Sequence, residues 1–300
     1  MTNHKERIGM IGLGIMGGAM AEALLKAGYT VTGFDVVSAA KQRLKAAGGK
    51  ALANSTRVLE ASDVVLVSVA TSAALAQVAE QLCQAPKRPA GQRALVVETS
   101  TLPIEDKQAF AAAMKRVGLD VMDCPISGTA VRMKDRSWTM FVSGSKAAYK
   151  RVEPVLRVFT DNLPYVGAFG NGSKMKFAAN HLVAIYNVAC AESVNLARKM
   201  GLDPKDVLAL FGSSPVIGHG VMRLRVPFMI DRSYTPATMK VEVWQKDMQV
   251  IGDMAKSVDC PTPLFSACAP IYSAAMAQGL AQSDTASVSE VLARMAGIQD

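Results

Sequence analysis

The sequence predicts an α/β chain: a doubly wound, mostly parallel sheet with helices on both faces, followed by an all-helical half. Three observations carry that prediction. Short apolar, β-branched runs alternate with helical patterns over the first 120 residues, the ordering of βαβ units. Beyond Gly170 such runs become rare and helical periodicity takes over. A length of 300 residues also exceeds what one hydrophobic core usually organises.

Taken in order, residues 7–12 form a buried strand and 15–27 a helix closed by Gly28, where a helix commonly stops. Residues 30–34 are the second strand, and 38–47 a helix between a capping Ser38 and Gly48-Gly49. Further strands are expected at 64–69 and 94–97, with helices at 73–82 and 104–117. Strands at 119–124, 138–143 and 164–166 are expected to complete the sheet. A helix over 146–158 is expected to bend or break at Pro154. Residues 173–200 read as one long helix, with Arg198 and Lys199 in its last turn and Gly201 beyond. Asp203-Pro204 restarts a helix as cap and first-turn proline. Segments 206–211, 218–230, 238–257, 263–278 and 284–296 follow as helices. The expected domains are 1–168 and 169–300, with the long helix as the joint.

Composition narrows the function. Lys5 and Arg7 before an apolar run could pass for a secretory signal, but five glycines between Gly9 and Gly18 interrupt that run. No apolar stretch reaches the roughly 18–20 residues of a membrane span. The five cysteines are scattered, with no CxxC pair, which fits reduced thiols in a cytoplasmic protein. Three histidines argue against a His-rich metal site, and no metal is expected. The net charge of +8 is dispersed and lacks aromatic interleaving, so nucleic acid is not the expected partner.

The strongest motif is Gly12-Leu13-Gly14-Ile15-Met16-Gly17, placed after a strand and opening a helix. Its glycines permit a tight turn, approach of a pyrophosphate and close helix–strand packing, while the helix start offers free N–H groups. This is the dinucleotide turn of a Rossmann-type domain. Asp35 ends the second strand, where a carboxylate accepts both ribose hydroxyls and repels a 2′-phosphate. Val36 and Val37 follow and no Arg is near, so NAD is expected over NADP.

Two later segments carry candidate chemistry. Asp123-Cys-Pro-Ile-Ser127-Gly128-Thr129 ends a predicted strand and can present a hydroxyl and backbone N–H groups to a carboxylate. Gly170-Asn-Gly172-Ser-Lys-Met-Lys176-Phe-Ala-Ala-Asn180 opens the long helix, with Lys176 and Asn180 on one face and Ser173, Ala184 and Asn187 continuing it. A partly desolvated lysine there can exchange protons near neutrality.

Together with Lys246-Asp247, these segments resemble the β-hydroxyacid dehydrogenase family, from residue 7 to about 250. The resemblance implies that Ser127, Gly128 and Thr129 hold a substrate carboxylate. It implies Lys176 as general acid/base, Asn180 as the amide orienting the substrate oxygen, and Lys246 near the nicotinamide. Hydride would pass between nicotinamide and a small anionic β-hydroxy acid, 3-hydroxyisobutyrate-like, or its semialdehyde. A tartronate semialdehyde (2-hydroxy-3-oxopropionate) reductase is an alternative, as are an imine reductase and a non-catalytic dinucleotide scaffold. A 6-phosphogluconate dehydrogenase would need a longer C-terminal domain. The family precedent implies a homodimer or homotetramer. Thr129 stands where a second glycine is common, and residues 131–138 replace a smaller loop. Arg132 is a candidate anion contact; His219, between two glycines, either reaches the cleft or is structural.

Overall fold

The computed structural model describes residues 5–86, 89, 93–133 and 135–298. Backbone contacts divide the chain into two compact units, Met1–Lys176 and Phe177–Asp300.

In the first unit, β1 (Ile8–Ile11), β2 (Val31–Phe34), β3 (Lys50–Ala51), β4 (Val64–Val67), β5 (Leu95–Glu98) and β6 (Asp120–Asp123) form one sheet. Its order is β3-β2-β1-β4-β5-β6 and every pairing is parallel. That is the dinucleotide-binding order, with the switch point between β1 and β4. The intervening helices are α1 (Ile15–Lys26), α2 (Ser38–Ala46), α3 (Ser55–Ala61), α4 (Ser72–Cys83) and α5 (Ile104–Arg116). Side chains of a strand alternate between faces, and the core divides accordingly. Ile8, Met10, Val64, Leu66, Leu95 and Val97 belong to one apolar cluster. Ile11, Val65, Val67 and Val96 belong to the other. Both faces are covered, which is why the central strands read as unbroken apolar runs.

Two features of this unit depart from expectation. The two-residue β3 and the short α3 have weak patterns and are absent from the sequence reading. α3 rests against β1 where a side chain at Gly9 would sit 2.6 Å from Val58 Cγ1. Residues 138–143 and 164–166 do not complete the sheet. Instead β7 (Ile126–Ser127) pairs antiparallel with β8 (Thr139–Met140) in a separate ribbon, and Val142 meets Tyr165 in an isolated bridge. The cause lies after β6: Asp123 and Ser143 exchange both backbone hydrogen bonds antiparallel, and Pro125 has no N–H to extend the ladder. α6 (Lys146–Leu156) passes through Pro154 without breaking there and ends two residues later.

α7 (Asn171–Lys199) begins in the first unit and continues into the second. The second unit adds α8 (Pro204–Phe211), α9 (Gly220–Asp231), α10 (Val241–Ser257), α11 (Pro263–Ala277) and α12 (Val288–Met295). A 3-10 turn, Thr285–Ser287, precedes α12 where the sequence reads as uniform helix. Asp203 caps α8 by accepting from Lys205 N at 2.8 Å, with Pro204 in the first turn. Val241, Ala275 and Val291 are fully buried where α10, α11 and α12 pack.

Candidate active site

The glycine turn follows β1 at the switch point. Gly12 has φ +87°, and a Cβ there would lie 2.1 Å from the Ser68 carbonyl oxygen; at Gly17 it would lie 2.0 Å from the Gly12 oxygen. Packing of the chain on itself compels those two glycines. Gly14 differs, because a Cβ there meets nothing within 4 Å. The space beside it belongs to a cavity of about 270 Å³ lined by Gly12, Gly14, Asp35, Val36, Val69 and Gln77, among others. No acidic side chain occupies the first turn of α1, so its N-terminal partial charge is available to an anion. The turn therefore fits a pyrophosphate, and the cavity fits the nucleoside beside it.

Asp35 closes that arrangement. Its Oδ2 accepts from Leu13 N at 2.6 Å and its Oδ1 from Val37 N at 2.7 Å. The carboxylate ties the end of β2 to the glycine turn, and a carboxylate's further lone pairs suffice for hydroxyl donors. Val36 and Val37 are exposed, and no cation flanks them in sequence.

The second segment leaves β6 and enters β7. Ser127 is half-buried, Gly128 exposed and Thr129 buried. Gly128 has φ +154°, and a Cβ there would lie 2.3 Å from Trp138 Cδ1. The indole of Trp138 is fully buried and donates from Nε1 to the Thr129 carbonyl at 2.6 Å. A rigid aromatic thus backs the loop in this chain. The Thr129 hydroxyl is buried and has no hydrogen-bond partner, a costly state for a polar group unless something completes it. Residues Val131 and Arg132 lie in a 3-10 turn, but the Arg132 side chain lies outside the described residues.

The structure joins this segment to the start of α7. Asp123 Oδ2 accepts from Ser173 N at 2.8 Å, and Oδ1 accepts from Ser173 Oγ at 2.9 Å and from Lys107 Nζ at 2.6 Å. Ser143 Oγ donates to Asp123 Oδ2 and accepts from Gly172 N at 3.0 Å. Gly172 must be glycine, since a Cβ would lie 2.5 Å from the Phe141 carbonyl oxygen. Lys107 is 1% exposed; its three protons go to Asp123, Ser173 Oγ and the Ser100 carbonyl. A fourth contact, Glu98 Oε2 at 2.6 Å, completes the ion pair. Burial pulls the Lys107 pKa down, but Glu98 and Asp123 outweigh burial and hold it above the usual lysine range. This lysine stays charged and is not a proton shuttle.

Lys176 and Asn180 lie farther along α7, 7% and 3% exposed, with Ser173 and Asn187 buried on the same helix. In the second unit Asn180 Nδ2 donates to Asp247 Oδ2 at 2.9 Å, and Lys246 Nζ lies 3.2 Å from Asp247 Oδ1. The Lys246-Asp247 pair and Asn180 are thus one contact set. Asp247, Asp123, Glu98 and Lys107 have no assigned role in the sequence reading. One signal was there for the last: Lys107 interrupts the apolar stripe of α5 between Ile104 and Phe110. His219 makes structural contacts within the second unit. It caps α9, Nδ1 accepting from Met222 N at 3.2 Å, and stacks on Tyr186. Burial and Arg223 hold its pKa below the usual histidine value. Among the described residues no group of side chains could hold a metal ion, and no helix is long and apolar enough to cross a membrane. The five cysteines are free thiols.

A parallel sheet in this order, a glycine turn at its switch point and a carboxylate at the end of the second strand define a dinucleotide-binding protein of the Rossmann class. Comparison with known proteins refines that class. Residues 7–167 match the NAD-binding domain of 6-phosphogluconate dehydrogenase, and 170–292 match the NAD-binding domain of NADP-dependent 3-hydroxyisobutyrate dehydrogenase. L-threonate dehydrogenase of Haemophilus influenzae is 30% identical over 294 residues, covering 97% of this chain and 96% of that protein. The 2-hydroxy-3-oxopropionate reductase of Escherichia coli is 28% identical, covering 97% and 98%. The crystal structure of 3-hydroxyisobutyrate dehydrogenase from Salmonella typhimurium superposes with a TM-score of 0.82 at 27% identity, covering 96% of this chain and all of that one. The chain belongs to the β-hydroxyacid dehydrogenase family.

Proposed function

We propose that the protein is an NAD-dependent dehydrogenase of a small β-hydroxy acid, 3-hydroxyisobutyrate-like, or a reductase of the corresponding semialdehyde. The observation that carries the reading is Lys176: a lysine 7% exposed, one helical turn from the buried Asn180 and one turn past a helix start pinned to the carboxylate-loop segment by Asp123. A general acid/base must lie within hydrogen-bond reach of the proton it moves, which a buried, positioned amine satisfies. Lys176 takes the alcohol proton in oxidation and returns it in reduction. Asn180, oriented by Asp247, holds the substrate oxygen. Ser127 and the backbone of Gly128 and Thr129 bind the substrate carboxylate, and Lys246 sits toward the nicotinamide end of the cofactor. When bound, the nicotinamide supplies hydride acceptance and donation. Gly12, Leu13, Gly14, Ile15, Met16 and Gly17 hold the pyrophosphate. Asp35 favours NAD over NADP, since a 2′-phosphate beside its carboxylate is repelled.

The buried, unpartnered Thr129 hydroxyl favours a second reading, a substrate with at least one more oxygen than a simple 3-hydroxy acid. 2-Hydroxy-3-oxopropionate and L-threonate, the substrates named for two relatives, have that character. Leu182, Tyr186 and Leu196 along α7, and Met200 just beyond it, expose apolar surface, which supports association into a homodimer or homotetramer. The free thiols fit a cytoplasmic protein.

The test is NAD⁺ reduction at neutral pH against a panel of 3-hydroxyisobutyrate, L-threonate and glycerate, with NADH oxidation by tartronate semialdehyde in reverse. Turnover with at least one, at a kcat/KM well above that for simple alcohols, is expected. NADPH bound as tightly as NADH would overturn the cofactor preference.

A further inference from the structure

We infer that the buried Lys107–Glu98–Asp123–Ser173 cluster is a positioning device for Lys176, setting where the proton-transfer amine points. The inference rests on the role proposed for Lys176 and deepens it.

A helix start leaves its first N–H groups without intrahelical partners, so the rotation and height of that first turn are set by whatever accepts from them. For α7 the acceptors are Asp123 Oδ2, taking Ser173 N, and Ser143 Oγ, taking Gly172 N. Both belong to the segment around the end of β6, so the helix is referenced to the sheet and not to a loop. The Ser173 side chain adds a second anchor, donating to Asp123 Oδ1 while accepting from Lys107 Nζ. Asp123, Lys107 and Ser173 are all at most 1% exposed, so no water competes for these bonds.

Ser173 and Lys176 are three apart and share a helix face, so a tilt or rotation of the first turn passes directly to the Lys176 side chain. Charge supports the same assignment. One cation against two carboxylates leaves the cluster with one excess negative charge, which the N-terminal partial charge of a 29-residue helix offsets. Lys107 is what allows two carboxylates to sit together unexposed. The charged groups packed around the start of α7 in this unit are Asp123, Glu98 and Lys107, with Lys174 exposed on the helix itself.

A purely structural cluster would show up in stability alone, so the experiment reads Lys176 directly. The full chain is labelled with [ε-¹³C]lysine, and the Lys176 resonance is assigned by its loss in Lys176→Met. A held side chain shows two separate ε-methylene proton shifts; a mobile one shows a single averaged shift. Ser173→Ala keeps the backbone N–H hydrogen bond to Asp123 and removes only the hydroxyl anchor. Asp123→Asn removes the charge and one of the two acceptors. Ser62→Ala, which deletes a buried hydroxyl bonded to Val58 and Thr32, serves as a control for lost stability.

The expected result is that Ser173→Ala collapses the Lys176 splitting by half or more. kcat with the substrate that the panel identifies should fall about tenfold while KM stays within about twofold, since displacements of 1 Å in reacting groups already cost up to ~10²-fold. Asp123→Asn should do more of both, and Ser62→Ala neither. Equal losses of melting temperature in Ser173→Ala and Ser62→Ala, with the Lys176 splitting and kcat unchanged, would overturn the inference. Turnover surviving in Lys176→Met would instead remove the acid–base role, while the splitting still decides whether the cluster places the amine.

Discussion

Each unit of this protein buries a carboxylate against a cation, and the two pairs do different things. In the second unit Asp284 is fully buried against Arg225 and accepts from Thr238 N, Thr238 Oγ1, Met239 N and Ala286 N. Its donors come from the Thr238–Met239 stretch and the 3-10 turn before α12, so it closes the helical unit on itself. In the first unit Asp123 takes its donors from α5, from Ser143 and from the start of the helix that carries Lys176. Burial is alike in both places, although the first cluster adds a second carboxylate, Glu98. What differs is the cargo of the segment being fixed. A buried ion pair thus marks a functional region only when the chain it holds leads to a reactive group.

The largest effect should come from a change that leaves both pairs intact. Lys176→Ala should lower kcat about a thousandfold, within the range of a lost general acid/base, with NADH affinity by fluorescence titration unchanged within about twofold. Wild-type turnover in that variant would erase the distinction between the two units. Next, Arg225→Met strands Asp284 without its cation and should cost about 3–5 kcal/mol in chemical denaturation. NADH binding to the remaining folded protein should hold, because the dinucleotide turn belongs to the other unit. A smaller effect is expected for Asp35→Asn, which retains one amide acceptor but loses the charge. NADH affinity should fall about tenfold while NADPH affinity rises or holds, as expected for one charged hydrogen bond of ~1.5 kcal/mol.

The smallest effect concerns a largely buried network at the edge of the second unit's core. Glu290 accepts from Arg232 and from the Tyr234 hydroxyl. Burial raises its pKa, but Arg232 and Tyr234 outweigh burial and hold it below its ordinary value of 4.5. The sign follows: its stabilising contribution is present above about pH 4.5 and is lost as pH falls through the depressed folded value. Thermal melts of wild type and Glu290→Gln from pH 6 to pH 3 should show a gap that narrows on acidification. A gap that widened would contradict the assigned direction.

How much of this was legible beforehand depends on whether the constraint is local. The glycines at 12 and 17 are dictated by contacts with Ser68 and with the turn itself, a constraint any such turn imposes. The parallel core reads from β-branched runs because both faces are covered. The long helix reads within two residues at either end. The strands after β6 were misplaced because Asp123 and Ser143 fold the chain back antiparallel, a tertiary choice that leaves no periodicity of its own. α3 escaped notice because its seven residues are held by one Asn54 cap and by contact with a glycine on β1. The link from Asp123 to Ser173 spans 50 residues. Both residues stand inside the two motifs, yet nothing in either says that they meet.

The double duty of Asp35 bears on how coenzyme choice can drift. The carboxylate that would greet a ribose also holds the Leu13 and Val37 amides. Replacing it to admit a phosphorylated ribose would therefore slacken the pyrophosphate cradle at the same stroke. A lineage or a designer switching coenzymes would have to supply new acceptors for both amides first, which makes position 35 slow to change even where selection for NADP is strong.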